Sequence, residues 1–431
     1  MAHVMVQGIR YSGKTWMIQR LVRAELARPV EKDGPSRRIY ILDSDGAHED
    51  LADQTFPVGG GGPWGYNPLQ LSAEHPESTP ADRAEFVARA LSVGYGAFRA
   101  RLGAALRALL REAYAERGLL PDRPIRESRP HGSVAAEDAP TLEGVRQLAL
   151  ARLRASRDKK VRAAEQRWDA VDLAAVREIA GVDGGPDLAG TMGMDPNAIG
   201  AYSEYLRSLA VDPLQGPDHQ VFPVSLLEGL IEQLDPVCSS SMLVGDSPRW
   251  DPDAVVRRYD VSALGRPERA VLVQCCLRDI LLEAEAHAAN DRRTLVVLDG
   301  VEEHLYTRRG AVEAMMRFGP AVGLEVLMSA YDPHPMLGDE LRATLGAHVL
   351  LGDYDREAVD AVSAGLNVPP ELLWCVVPRR RCVVRTRQAD GSARQGKVMI
   401  DGVVGALGWD EQPGTAPGRE RAGWAAAVVR R

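Results

Sequence analysis

The chain has 431 residues, 45% of them apolar, with a net charge of −8 and an isoelectric point near 5.7. That length suits two or three domains, or one large domain with insertions, and the apolar share supplies a core. The acidic balance excludes a histone-like basic surface, though a basic channel inside an acidic body stays possible, and no apolar run reaches the ~18 residues of a membrane-spanning helix.

In chain order, His3-Val-Met-Val-Gln7 predicts a first strand, and the apolar spacing over 16–26 predicts an amphipathic helix. Between them stands Gly8-Ile9-Arg10-Tyr11-Ser12-Gly13-Lys14-Thr15. Strand, glycine-rich turn and helix in that order cradle a phosphate. Backbone N–H groups and the helix N-terminus face the anion, the lysine ammonium reaches the β- and γ-phosphates, and the threonine hydroxyl ligates Mg²⁺. Gly8, Tyr11, Ser12, Gly13, Lys14, Thr15 and Trp16 are therefore the expected nucleotide contacts, with ATP and Mg²⁺ as ligands.

Arg38-Ile-Tyr-Ile-Leu42 predicts the second strand, ending in Asp43-Ser44-Asp45-Gly46. A helix between two short apolar strands is a βαβ unit, so the sheet is expected to be parallel. A glycine-rich turn over 59–65 precedes Tyr66-Asn67-Pro68-Leu69. The apolar period then turns helical, with helices expected over 141–153, 162–179, 197–209 and 225–234, a short extended piece over 221–224 and polar loops over 121–140 and 181–190. Sheet character returns over 242–245 and 255–264, followed by a long helix over 268–289 and the doubly apolar strand 293–298. A helix over 312–320, a strand over 323–329, a helix over 333–345, a strand over 348–351 and a helix over 357–366 follow. A hairpin is expected from 381–387 and 397–400, and the tail is rich in Pro and Gly. This divides the chain into a first core part (1–75), a helical insertion (76–235), a second core part with the hairpin (236–409) and a flexible tail (410–431). Five cysteines without a CxxC pair predict free, buried thiols in a reducing compartment, and the N-terminus lacks signal-peptide shape, which predicts a cytoplasmic protein.

A carboxylate at the C-terminal tip of a buried strand is how a phosphate-loop enzyme holds Mg²⁺, and Asp299 has that place. Glu302 and Glu303 are the nearest candidates for orienting or deprotonating water. Ser329, at the end of the next strand, suits a γ-phosphate sensor. Arg308, Arg309 and Arg317 lie between those strands, and one of them is expected to meet the developing charge from a neighbouring subunit. Asp43 and Asp45 end a strand near the site, where turn formation and catalysis are both open readings.

Taken together, these pieces resemble, in order, the HerA/FtsK superfamily of ring motors, and within it the HerA, VirD4/TraG and VirB4 branch. The loop 8–15, Asp43-Ser44-Asp45-Gly46, Tyr66-Asn67-Pro68-Leu69, Tyr259-Asp260-Val261-Ser262-Ala263-Leu264, the strand ending in Asp299, and Arg317 followed by the strand ending in Ser329 carry it. The resemblance implies an α/β P-loop NTPase core with a RecA-like, mostly parallel sheet and an inserted helical subdomain. It also implies ATP and Mg²⁺ bound at the boundaries of a homo-hexamer, with Lys14 and Thr15 on nucleotide and Asp299 on metal. Family members pull DNA, serve secretion or conjugation machines, or sit with a nuclease in repair or antiviral complexes. This chain departs from them in three ways. Gly300 stands where the family has Glu, Ser329-Ala330-Tyr331 lacks the sensor Gln, and neither an N-terminal β-barrel nor a membrane segment precedes the core.

Three readings follow: an ATPase that moves or grips DNA, a secretion- or conjugation-type coupling ATPase, and a nucleotide-gated scaffold that scarcely hydrolyses. The long helical block and the late position of Asp299 argue against a compact nucleoside kinase.

Overall fold

The computed structural model describes residues 3–9, 11–28, 37–59, 64–71, 78–96, 100–124, 139–169, 222–243, 250–288, 292–300, 310–330, 344–352, 354–387, 392–403 and 407. Its strands are β1 (His3–Gly8), β2 (Arg37–Asp43), β3 (Gln54–Pro57), β4 (Val256–Asp260), β5 (Arg293–Asp299), β6 (Leu324–Ala330), β7 (Leu345–Leu351), β8 (Arg381–Arg387) and β9 (Ala393–Met399). They form a nine-stranded sheet in the order β3-β4-β2-β5-β6-β1-β7-β8-β9. Strands β1 to β7 run parallel, and β8 and β9 close one edge antiparallel.

Alternation along each strand decides which layer it feeds. Val4, Val6, Ile39, Ile41, Leu295, Val297 and Val349 pack with Met17, Ile18, Leu21 and Val22 of helix α1 (Lys14–Ala27). Met5, Tyr40, Leu42, Val296, Leu298 and Met328 face the other way, into the larger core. Burial on both faces is why 295–298 reads as an unbroken apolar run.

The remaining helices are α2 (Pro80–Tyr95), α3 (Ala100–Glu116), α4 (Leu142–Asp169), α5 (Val224–Cys238), α6 (Arg266–Ala286), α7 (Ala311–Phe318), α8 (Arg356–Leu366) and α9 (Pro370–Leu373). Local chemistry sets their ends. Thr79 caps α2 by accepting a hydrogen bond from the Asp82 N–H with Pro80 in the first turn, and Asp355 caps α8 through the Ala358 N–H. Helix α6 is buried along most of its surface because it lies between the sheet and α2. Helix α2 also packs on α3, and α5 packs on α3 and α4.

The segment Tyr66-Asn67-Pro68-Leu69 is held by α2, α3 and α6. The Tyr66 hydroxyl donates to Asp279 of α6, and Asp279 also receives the Arg83 guanidinium of α2. Arg83 donates to Pro68 O at 2.6 Å, and Tyr114 of α3 to Leu69 O at 2.6 Å. Burial, then the Asp279 carboxylate, push the Tyr66 hydroxyl pKa far up, so it remains a donor.

Several elements differ from expectation. The helices predicted over 141–153 and 162–179 run on as one through Asp169, because 154–161 contains neither Gly nor Pro; 170–179 lie outside the described residues. Val224 opens α5 instead of ending an extended piece, and Ser241–Leu243 is a 3₁₀ turn instead of a strand. Strand β3 and helix α9, each of four residues, are too short to show a period. The helix predicted over 197–209 and nearly all of that over 333–345 lie outside the described residues; Leu345 itself opens β7. Cys275, Cys276 and Cys382 are buried and, with Cys238 and Cys375, carry free thiols.

Candidate active site

Parallel strands end at a common edge, and the candidate residues lie there. Gly8 closes β1, and a Cβ at that position would stand 2.1 Å from Leu351 O, so only glycine admits the neighbouring strand end. The loop then turns through left-handed backbone at Tyr11 (φ 65°) and Gly13 (φ 97°), and α1 starts at Lys14. A turn of this shape at a helix N-terminus is the kind that can cradle an anion with main-chain N–H groups. Lys14 is 5% exposed, and its Nζ donates to Gly8 O at 2.8 Å and Ile9 O at 2.7 Å. Burial lowers its pKa to about 8, against an upward pull from the Asp299 carboxylate. A polyanion on the loop acts on Lys14 in the same sense as that carboxylate.

Asp299 ends β5 opposite Asp43 of β2. Its Oδ1 accepts the Ser329 hydroxyl at 2.7 Å, its Oδ2 lies 2.9 Å from His48 Nε2, and Thr15 also bonds to it. Burial alone pushes its pKa up, yet the hydrogen bonds from His48 and Ser329 prevail and hold it below the usual carboxylate range. Asp43 is organised in the same way. It receives the His48 N–H at 2.9 Å and Arg258 Nε at 2.8 Å, and these outweigh its burial to keep it ionised.

The residues present fit a nucleotide and its metal. Ser12 Oγ is buried in the loop with no hydrogen-bond partner among the described residues. Thr15 and Asp299 offer the hard oxygen donors that Mg²⁺ requires. Tyr11 and Trp16 stand exposed at the mouth, with Arg20 over the Trp16 ring at 5.3 Å.

Lys14, Thr15, Asp299 and Ser329 thus share one edge. Arg317 lies on α7 in an i,i+4 pair with Glu313 at 2.9 Å. Glu302, Glu303, Arg308 and Arg309 fall outside the described residues. Three residues escaped the sequence reading. His48 and Arg258 lie in a loop and a strand without motif spacing. The Arg379 side chain reaches within 3.7 Å of where a Cβ on Gly13 would stand. Arg379 has left-handed backbone (φ 57°), and the run Pro378-Arg379-Arg380-Arg381 was the signal that marks it.

A nucleotide-phosphate loop on β1 of a parallel sheet, with an aspartate at the tip of β5, defines a P-loop NTPase fold. No family model and no curated protein sequence matches the chain. Solved structures do: VirB4 of Thermoanaerobacter pseudethanolicus is 15% identical with a TM-score of 0.50, over 96% of this chain and 90% of that one. The bacterial conjugative coupling protein TrwBdeltaN70 in complex with sulphate is 14% identical with a TM-score of 0.48, over 92% and 85%. Plasmid coupling protein TrwB in complex with ADP and Mg²⁺ is 14% identical with a TM-score of 0.47, over 97% and 87%. The chain has the P-loop fold of the VirB4 structure.

Proposed function

We propose that this chain binds ATP with Mg²⁺ at the loop 8–15 and hydrolyses it as a homo-oligomeric ring, a hexamer, that moves or grips DNA within a larger complex. The meeting of Lys14, Thr15, Asp299 and Ser329 at one sheet edge carries this reading. On it, Lys14 and the loop amides hold the phosphates, and Thr15 and Asp299 hold the metal, which offsets charge that builds up as the terminal phosphate is transferred. Ser329 keeps the Asp299 carboxylate in orientation.

Asp299→Asn is expected to lower Mg²⁺-dependent turnover about 100-fold while metal-free nucleotide binding persists. Turnover at the wild-type rate across a Mg²⁺ titration would remove Asp299 from this role. Wild-type turnover is expected to rise with duplex DNA, and mass measurement with ATP to give six subunits. Tight ATP binding by a stable monomer argues against the ring.

A VirB4-like fold equally supports a coupling ATPase of a secretion or conjugation machine, handling DNA or protein at a membrane channel. Among the described residues no helix is long and apolar enough to cross a membrane. Turnover stimulated by a protein substrate and indifferent to DNA selects this second reading.

A further inference from the structure

In a phosphate-loop ATPase the residue after the metal-binding aspartate is a natural seat for the carboxylate that acts on water, and here it is Gly300. A side chain at this position is disfavoured in two ways. Its backbone is left-handed (φ 66°), and a Cβ there would lie 2.6 Å from Ser44 Oγ and 3.0 Å from Asp45 Oδ2. The space is therefore filled from the neighbouring strand, by a chain segment that itself carries a carboxylate.

The segment is firmly held. β2 and β5 pair with Asp43 opposite Asp299, so Ser44-Asp45 leaves one strand where Gly300 leaves the other. Ser44 Oγ donates to the Asp299 main-chain oxygen at 3.1 Å. The Asp45 N–H donates to Asp43 Oδ1 at 3.2 Å, and Asp43 is fixed by Arg258. The Asp45 carboxylate itself is exposed at the site and has no ion pair among the described residues.

We propose that Asp45 supplies the carboxylate that Gly300 lacks, orienting the attacking water and accepting its proton. The inference rests on the ATPase reading above. As the water oxygen bonds to the γ-phosphorus, the bond from that phosphorus to the β–γ bridging oxygen breaks. ADP leaves, the water proton passes to Asp45 and then to solvent, and inorganic phosphate remains.

The test compares wild type, Asp45→Asn, Asp45→Glu, Glu302→Gln and Glu303→Gln. Asp45→Asn is nearly isosteric and is expected to lower kcat about 100-fold or more. Its calorimetric affinity for Mg²⁺·ADP stays at the wild-type value, which also checks that it folds. Affinity for ADP with aluminium fluoride, a mimic of the in-line transition state, is expected to fall by about the same factor as kcat, and Asp45→Glu to recover part of both. Asp45→Asn with kcat and fluoride-complex affinity within about threefold of wild type overturns the inference. So does loss of turnover in Glu302→Gln or Glu303→Gln beside an active Asp45→Asn. Wild-type protein that binds ATP without hydrolysing it overturns the role of Asp45 and leaves nucleotide binding standing. Wild-type protein that binds no nucleotide sinks the underlying reading as well.

Discussion

Lys14→Ala is expected to remove saturable ATP binding and turnover together while the protein stays folded. Lys14 is 5% exposed and its ammonium is tied to Gly8 O and Ile9 O, so the loop holds its cation where the phosphates of a nucleotide would sit. Removing one preorganised donor from such a site costs about 2.7–4 kcal/mol, a factor of ~10²–10³ in rate. The fold has little to lose. Burial already disfavours the charge, as the lowering of its pKa to about 8 records, and alanine suits the first helical position. Lys14→Arg is not a conservative rescue, because a planar guanidinium differs in shape from the ammonium held between the two carbonyls. Calorimetry and steady-state turnover on the same preparation check this. Wild-type affinity in Lys14→Ala would separate the nucleotide site from the loop altogether.

Asp43→Ala is expected to cost about 3–5 kcal/mol of folding stability, the range for stripping one partner from a buried ion pair. Arg258 and Asp43 are 3% and 1% exposed, with Nε and Oδ2 2.8 Å apart. Asp260, 22% exposed and 3.2 Å from the same guanidinium, retains some compensation, which places the loss toward the lower bound. The main-chain N–H groups of Asp45, Ala47 and His48 lose their acceptor at the same time. Denaturant titration of Asp43→Ala, Arg258→Met and the double variant gives the coupling directly. The double variant is expected to be less destabilised than the two single losses summed. Additivity would mean that the pair contributes nothing beyond its separate parts.

Much of the frame was legible because it rests on short-range rules. A glycine-rich turn between an apolar strand and an amphipathic helix announced β1 and α1, and the apolar run before Asp299 announced a doubly buried strand. Asp299 and Ser329 were singled out because strand tips are readable. His48 was not, since it reaches Asp299 from 251 residues away through the fold of a loop. Arg258 was hidden likewise. A charged residue in a strand reads as exposed until its partner in the adjacent strand is known, and that partner is 215 residues earlier. The substitution at Gly300 was visible as a missing glutamate. The carboxylate standing against it was not, because the proximity of Asp45 depends on which strand lies beside β5.

Asp279 of α6 holds both Arg83 of α2 and Tyr66 of the segment that enters the helical layer. The segment that follows the first strands is thus tied to α2 and α6 by a half-buried ionic knot instead of a pliant strap. Losing Asp279 would strip both partners at once, so α2, α6 and this segment are expected to behave as one rigid unit.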